Sequence, residues 1–181
     1  MSLHGMLSST DRGQPMQLFG KKKPFFPFDP RPEDIDLETI AHALSMQCRF
    51  GGHIKEFYSV AQHSVLVSLT CVHPKEGLLH DAAEAYLADV IRPLKVIFPA
   101  YKEAEEKIER AIAERFGLIF PWPDDVKEAD NVLLATEKRD LVVPNDQDWG
   151  PMPDPLPGTI RGWSAPVAKG QFLRRAKELG L

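Results

Sequence analysis

Apolar residues recur in this chain at three- and four-residue intervals in one segment after another, and no segment shows the alternation that a half-buried strand requires. "DIDLETIAHALSM" places Ile35, Ile40, Ala41 and Leu44 on helical spacing, with Asp34 and Asp36 as cap or first-turn acids. "FYSVAQHSVLVSLTCV" sets Val60, Val67 and Cys71 along one face. A third helix is expected to start after His73-Pro74 and to run to about Val90, with Pro93 breaking it. "YKEAEEKIERAIAERFG" carries a stripe of Ala104, Ile108, Ile112 and Phe116 and stops at Gly117. "PDDVKEADNVLLATEKRDLV" follows, with Asp124 or Asp125 as its expected cap, and "APVAKGQFLRRAKELG" is the last helix. The expected class is an all-α bundle of about six helices.

Proline sets the remaining boundaries. Residues 1–33 lack helical periodicity, and Pro24, Pro27, Pro30 and Pro32 forbid a regular helix there. They are read as an extended N-terminal arm, packed onto the domain through Phe25, Phe26 and Phe28, with Met1 to Leu3 given no weight as a possible remnant of expression. Residues 34–181 form one domain, interrupted by a Pro-rich loop at 144–166 that is expected to be well packed or functional. The chain's 43% hydrophobic residues are enough for one ordinary core.

A net charge of -4 argues against nucleic acid as the main partner. No run approaches the roughly 20 apolar residues of a membrane helix. Cys48 and Cys71 have no CxxC spacing and are expected to pack in the core, and with no apolar signal segment a cytoplasmic setting is expected.

One stretch does not fit a purely structural role. "LLHDAAEAYLADVIRPLK" is built for burial yet carries His80, Asp81 and Glu84 close together, and ionisable groups on a packed face cost free energy unless something pairs with them. A bound cation is the simplest partner. Two other helices each offer an ionisable group among apolar neighbours: His63 beside Val60, Leu66 and Val67, and Asp130 beside Val126, Leu133 and Leu134. Taken singly, His63 reads as a hydrogen-bonded core histidine and Asp130 as a helix-face carboxylate. Arg49 in "CRFGGH" and Lys95 in "RPLK" flank these residues and can meet phosphate oxygens.

The order H…HD…D, in three blocks ("DIDLETIAHALSMQCRFGGHIKEFYSVAQHSVLVS", "LLHDAAEAYLADVIRPLK" and "VKEADNVLLATEKRDL"), resembles the HD-domain metal-dependent phosphohydrolases. The resemblance is strongest to bacterial 5'-deoxynucleotidases and the phage HD-type dNTP phosphohydrolases. It implies an HD-type helical bundle, a nucleotide substrate, and His63, His80, Asp81 and Asp130 as ligands of one divalent metal ion. Two imidazoles and two carboxylates suit Co, Mn, Zn or Fe(II), with Mg as a candidate second ion accompanying substrate. Such an ion lowers the pKa of a water and polarises the phosphoryl group.

Glu84 is then assigned to the attacking water, and Asp89 matches a second acid near the sugar or the water. Arg49 falls on the phosphate and Phe50 on the sugar 2' position, where relatives commonly carry Trp. Homo-oligomers, dimers or larger, are implied by the same kinship.

Within that superfamily no histidine follows His80, which disfavours the binuclear cyclic-nucleotide enzymes, and Glu84-Ala85 disfavours the alarmone hydrolases. Two reactions stay open. One is 5'-dephosphorylation of (deoxy)nucleoside monophosphates. The other is release of triphosphate from a (d)NTP, for which Lys95, Arg92 and the run Lys21 to Lys23 would supply charge. A non-catalytic nucleotide sensor is the third alternative. His4 and His73 are expected to be solvated, His42 to pack, and His53 is open between phosphate contact and structure. Arg161 and Trp163 are open between closing over the base and packing the C-terminal tail.

Overall fold

The computed structural model describes residues 12–181, apart from the side chain of Arg92. The expectations for His4 and for the first eleven residues of the arm fall outside the described residues, as does that for the Arg92 side chain. Among the described residues eight α-helices follow in order: α1 (Leu37–Met46), α2 (Val60–Thr70), α3 (Pro74–Leu79), α4 (Glu84–Leu87), α5 (Arg92–Lys95), α6 (Pro99–Phe116), α7 (Asp124–Asp140) and α8 (Ala165–Glu178). Among the described residues there is no strand, and β-pairing is limited to the isolated bridges Met16–Phe25 and Cys48–Ser59. The protein is an all-α bundle. Among the described residues no helix is long and apolar enough to cross a membrane.

Helix α2 is the axis of the bundle and packs against α1, α3, α7 and α8. Ser59 starts it, its hydroxyl accepting from Gln62 N at 3.1 Å, a cap worth about 1 kcal/mol. Because neighbours surround it, even its polar residues Gln62, His63, Ser64 and Ser68 are buried. Ser64 returns its hydroxyl to Val60 O, and Gln62 binds Arg161 O and Trp163 N. Val60 and Val65 enter one apolar cluster with Ile40, Leu79 and Ile112, while Val67 enters a second with Tyr58, Val126 and Leu133. His63 therefore sits on the helix that joins the two clusters.

Helix α3 comes unusually close to α2. A Cβ on Gly77 would stand 3.2 Å from Ser68 Cα and press into Cys71 Sγ, so glycine is what permits this approach. It brings the end of α3, and with it His80, against His63.

Several expectations are corrected here. The expected third helix is broken: α3 ends at Leu79, a turn spans residues 80–83, and α4 ends at Leu87 rather than near Val90. Through the break the backbone bonds tighten to i, i+3 spacing, as in Ala82 N to Leu79 O and Glu84 N to Asp81 O, both 3.0 Å. Pro93 does not end a helix but lies inside α5, where the first turn needs no proline N–H. Asp125 does not cap α7. Its carboxylate accepts from Val72 N, His73 N and the His73 ring, so His73 is tied down rather than solvated. Phe25 and Phe26 bury as expected, but Phe28 is exposed. Both cysteines are half-buried rather than fully in the core.

Candidate metal centre

Three of the residues singled out by the H…HD…D order converge, and the fourth, Asp130, touches the first. His63 Nε2 lies 3.4 Å from His80 Nε2, 3.5 Å from Asp81 Oδ2 and 3.1 Å from Asp130 Oδ1. His80 Nε2 lies 3.3 Å from Asp81 Oδ2. Donor atoms of His63, His80 and Asp81 all fall within 4.8 Å of one another, and Asp130 joins them through His63. Helix α2 supplies the first residue, the break after α3 the next two, and α7 the last.

Hydrogen bonds on the far side of each ring fix the chemistry of the near side. His80 Nδ1 donates to Gly77 O at 2.9 Å, since a carbonyl oxygen only accepts. His63 Nδ1 stands 2.6 Å from Glu137 Oε1, a carboxylate held below its ordinary pKa: burial opposes this, but Arg49 and His63 outweigh it. Both Nε2 atoms therefore turn lone pairs toward each other and toward two carboxylate oxygens. Three acceptors facing one another, with Asp130 Oδ1 beside the first, repel unless a cation or a proton lies between them. Burial and the Arg49 charge oppose a proton on His63, yet Glu137 and Asp130 outweigh them and hold its pKa at about 9. Asp81 and Asp130 are both held low despite burial, Asp81 chiefly by His80 and His63 and Asp130 chiefly by His63.

The donor set fits a transition-metal dication. Ligands at about 2.1 Å from one ion stand about 3.0 to 3.4 Å apart at octahedral or tetrahedral angles, close to the spacings of 3.1 to 3.5 Å found here.

Arg49 also reaches the centre. Its Nη1 donates to Asp81 Oδ2 at 3.4 Å, while Nε and Nη2 donate to Glu137 Oε2 at 3.2 and 3.1 Å. Glu137 is the residue that the sequence reading passes over. It lies in "TEKRD", which reads as a solvated charged turn, yet it is 0% exposed. The available signal is its spacing, two turns after Asp130 on the face that also buries Leu133.

Glu84 and Asp89 stand beside the centre. Glu84 is buried, its Oε1 accepts from Lys95 Nζ at 3.1 Å, and its Oε2 has no partner. Burial, then the charges of Asp81 and Asp89, push its carboxyl well above the usual range. Burial also raises Asp89, with Asp81 adding to it. Lys95 bridges to Glu105 at 2.8 Å as well, and these two carboxylates keep it charged against its own burial. Gln47 ties the segment down, donating to Glu84 O and accepting from Asp89 N, both at 2.9 Å. Between them Ala88 holds φ 69 and ψ 156, a conformation almost confined to glycine.

The remaining candidates divide. Phe50, at φ 56, lies beside Arg49 and tilts against Trp149 of the Pro-rich loop, ring centroids 6.1 Å apart. Lys21 pairs with Asp36 at 2.8 Å, at the opposite end of α1 from Gln47. His42 stacks on Phe19 at 3.9 Å, a packing role. His53 is exposed, as is Arg161, and Trp163 packs against the main apolar cluster. A surface groove of about 490 Å³ between α7 and Trp149 contains none of the converging residues.

Fold and site together define a helical-bundle protein with a histidine–carboxylate centre assembled from three elements. No family model matches the chain. Over 153 residues it is 42% identical to the uncharacterized protein YfdR of Escherichia coli K12, a match spanning 81% of this chain and 85% of that protein. A second relative, the uncharacterized protein RCAP_rcc00048 of Rhodobacter capsulatus, is 38% identical over 129 residues, 62% of this chain and 66% of its own length. The chain belongs to the YfdR family.

Proposed function

We propose that the protein is a metal-dependent nucleotide phosphohydrolase of the HD-domain type, removing the 5'-phosphate of (deoxy)nucleoside monophosphates. The observation that carries this reading is the cluster of His63 Nε2, His80 Nε2 and Asp81 Oδ2, with Asp130 Oδ1 at 3.1 Å from His63 Nε2, an acceptor-rich group that a cation would balance. A divalent ion held there would lower the pKa of a water and polarise a phosphoryl oxygen. Arg49, beside Asp81, is placed to take phosphate oxygens through its remaining N–H bonds. Glu84, buried beside the centre with one oxygen on Lys95 and the other an orphan, suits a group that accepts the proton of the attacking water.

Monophosphates are favoured over triphosphates by the supply of cations. Among the described residues, Arg49 and Lys95 are the Arg and Lys side chains paired with the site's carboxylates, and Lys21 is committed to the far end of α1. The sensor alternative leaves Glu84 without a task.

Product analysis by chromatography on the Mn- or Co-loaded protein, across dNMPs, NMPs, dNTPs and NTPs, tests this. The expected products are nucleoside and orthophosphate from monophosphates, reduced more than about 10³-fold in Asp81→Ala. Triphosphate released from dNTPs alone would establish the alternative reaction. Nucleotide binding without any product would establish the sensor.

A further inference from the structure

Helix α7 grips the His63 ring at both nitrogens. Asp130 Oδ1 faces Nε2 at 3.1 Å, and Glu137 Oε1 takes Nδ1 at 2.6 Å. Seven residues separate the two acids, nearly two turns at 3.6 residues per turn, so both lie on one face and bracket the ring. The other oxygen of Glu137 holds Arg49 through Nε and Nη2. That leaves one fully buried carboxylate with each oxygen committed to a different half of the site, a metal-ligand candidate on one side and a phosphate-binding candidate on the other.

We propose that Glu137 is a positioning residue that sets both halves at once. Oε1 fixes the tautomer of His63 with Nε2 bare toward the centre, and Oε2 fixes the Arg49 guanidinium beside Asp81. This inference rests on the metal-centre reading above. A carboxylate on the outer nitrogen of a ligating histidine orients the ring and raises its basicity, an effect commonly worth 10- to 100-fold in metal affinity. Arg49, with its fork pinned along Nε and Nη2, keeps a second N–H on each of Nη1 and Nη2 for an anion. Asp81 Oδ2 also stands near both side chains, 3.4 Å from Arg49 Nη1 and 3.5 Å from His63 Nε2, but on the inner face of the ring, whereas Glu137 takes its outer nitrogen.

The carboxylate has two acceptor oxygens and an amide has one, and this supplies the test. Wild type, Glu137→Ala and Glu137→Gln are titrated with Co(II) by calorimetry and visible absorption. The Co-loaded proteins are then titrated with inorganic phosphate. Glu137→Ala should weaken Co(II) binding at least about tenfold, change the Co(II) spectrum, and weaken phosphate binding. Glu137→Gln should restore one of the two affinities and not the other, because its single oxygen serves either His63 or Arg49. Should the Ala variant fail to fold, the Gln variant carries the test alone. Wild-type affinities and spectrum for both ligands in Glu137→Gln, with only the melting temperature changed, would overturn the proposal and leave the metal reading standing. A wild-type protein that binds no Co(II) would overturn the metal reading itself, and this inference with it.

Discussion

At the scale of single residues the site depends on which polar atoms lack a partner. Glu84 Oε2 is buried without one, while Oε1 shares Lys95 with Glu105. Replacing Glu84 by Gln keeps an oxygen for Lys95 and removes the basic site. The substitution should lower kcat by about 10²- to 10⁴-fold, the usual range for a lost general base, while Co(II) affinity stays within about twofold. Steady-state kinetics and calorimetry check both, and the acid limb of the kcat profile should disappear with the carboxyl. The grouping of His63, His80, Asp81 and Asp130 was legible from their H…HD…D order, since singly His63 reads as a core histidine and Asp130 as a helix-face carboxylate. Glu137 was not, because its neighbours Lys138, Arg139 and Asp140 disguise the buried face of α7 as a solvated turn.

At the scale of elements, periodicity located the helices well, and tertiary demands altered one of them. Nothing between Leu79 and Val90 breaks a helix by propensity, since the stretch is rich in Ala and Leu. The break at residues 80–83 comes from the work those residues share: His80 folds back on Gly77 while Asp81 turns to Arg49 and His63. Helix α6 presents a different case, a good amphipathic pattern that still half-buries an acid. Glu109 accepts from Trp122 Nε1 at 3.1 Å, and burial, with Glu105 and Asp81 adding to it, lifts its pKa to about 7 from an ordinary value of 4.5. The folded state therefore holds more protons than the unfolded one between those values. The associated stability is present below pH 4.5, falls as pH rises through about 7, and stays lost above it. Glu109→Gln keeps an acceptor for Trp122, so its melting temperature should match wild type near pH 4.5 and exceed it at pH 8. The excess should be about 2 to 8 °C, for a gain on the order of 1–2 kcal/mol. Thermal melts followed by tryptophan fluorescence at the two pH values decide it.

At the scale of the whole molecule the centre is a junction. It joins α2, the break after α3, and α7, and α2 itself links the two apolar clusters. The all-α class was legible from apolar spacing alone, but this joining was not, because it depends on the glycine approach of α3 to α2 and on the buried far end of α7. In the chelator-treated protein the acceptors at the junction share the proton on His63, whose pKa is about 9, and one N–H of Arg49. A dication would replace that proton and tie three elements together, and an ion that binds the folded state alone stabilises it by about 4 kcal/mol at a thousand times its Kd. For a domain of this size each kcal/mol moves the midpoint by about 2–4 °C, so saturating Mn or Co should raise it by roughly 8 to 16 °C. The shift should be largest at alkaline pH, where the ion no longer competes with the His63 proton. Asp130→Ala, which removes one ligand and one arm of the grip on His63, should lose most of the shift while still melting cooperatively. If neither metal nor chelator moves the wild-type midpoint at any pH between 6 and 9, the four residues are a proton-balanced ion-pair cluster. The junction would then hold the bundle together without an ion.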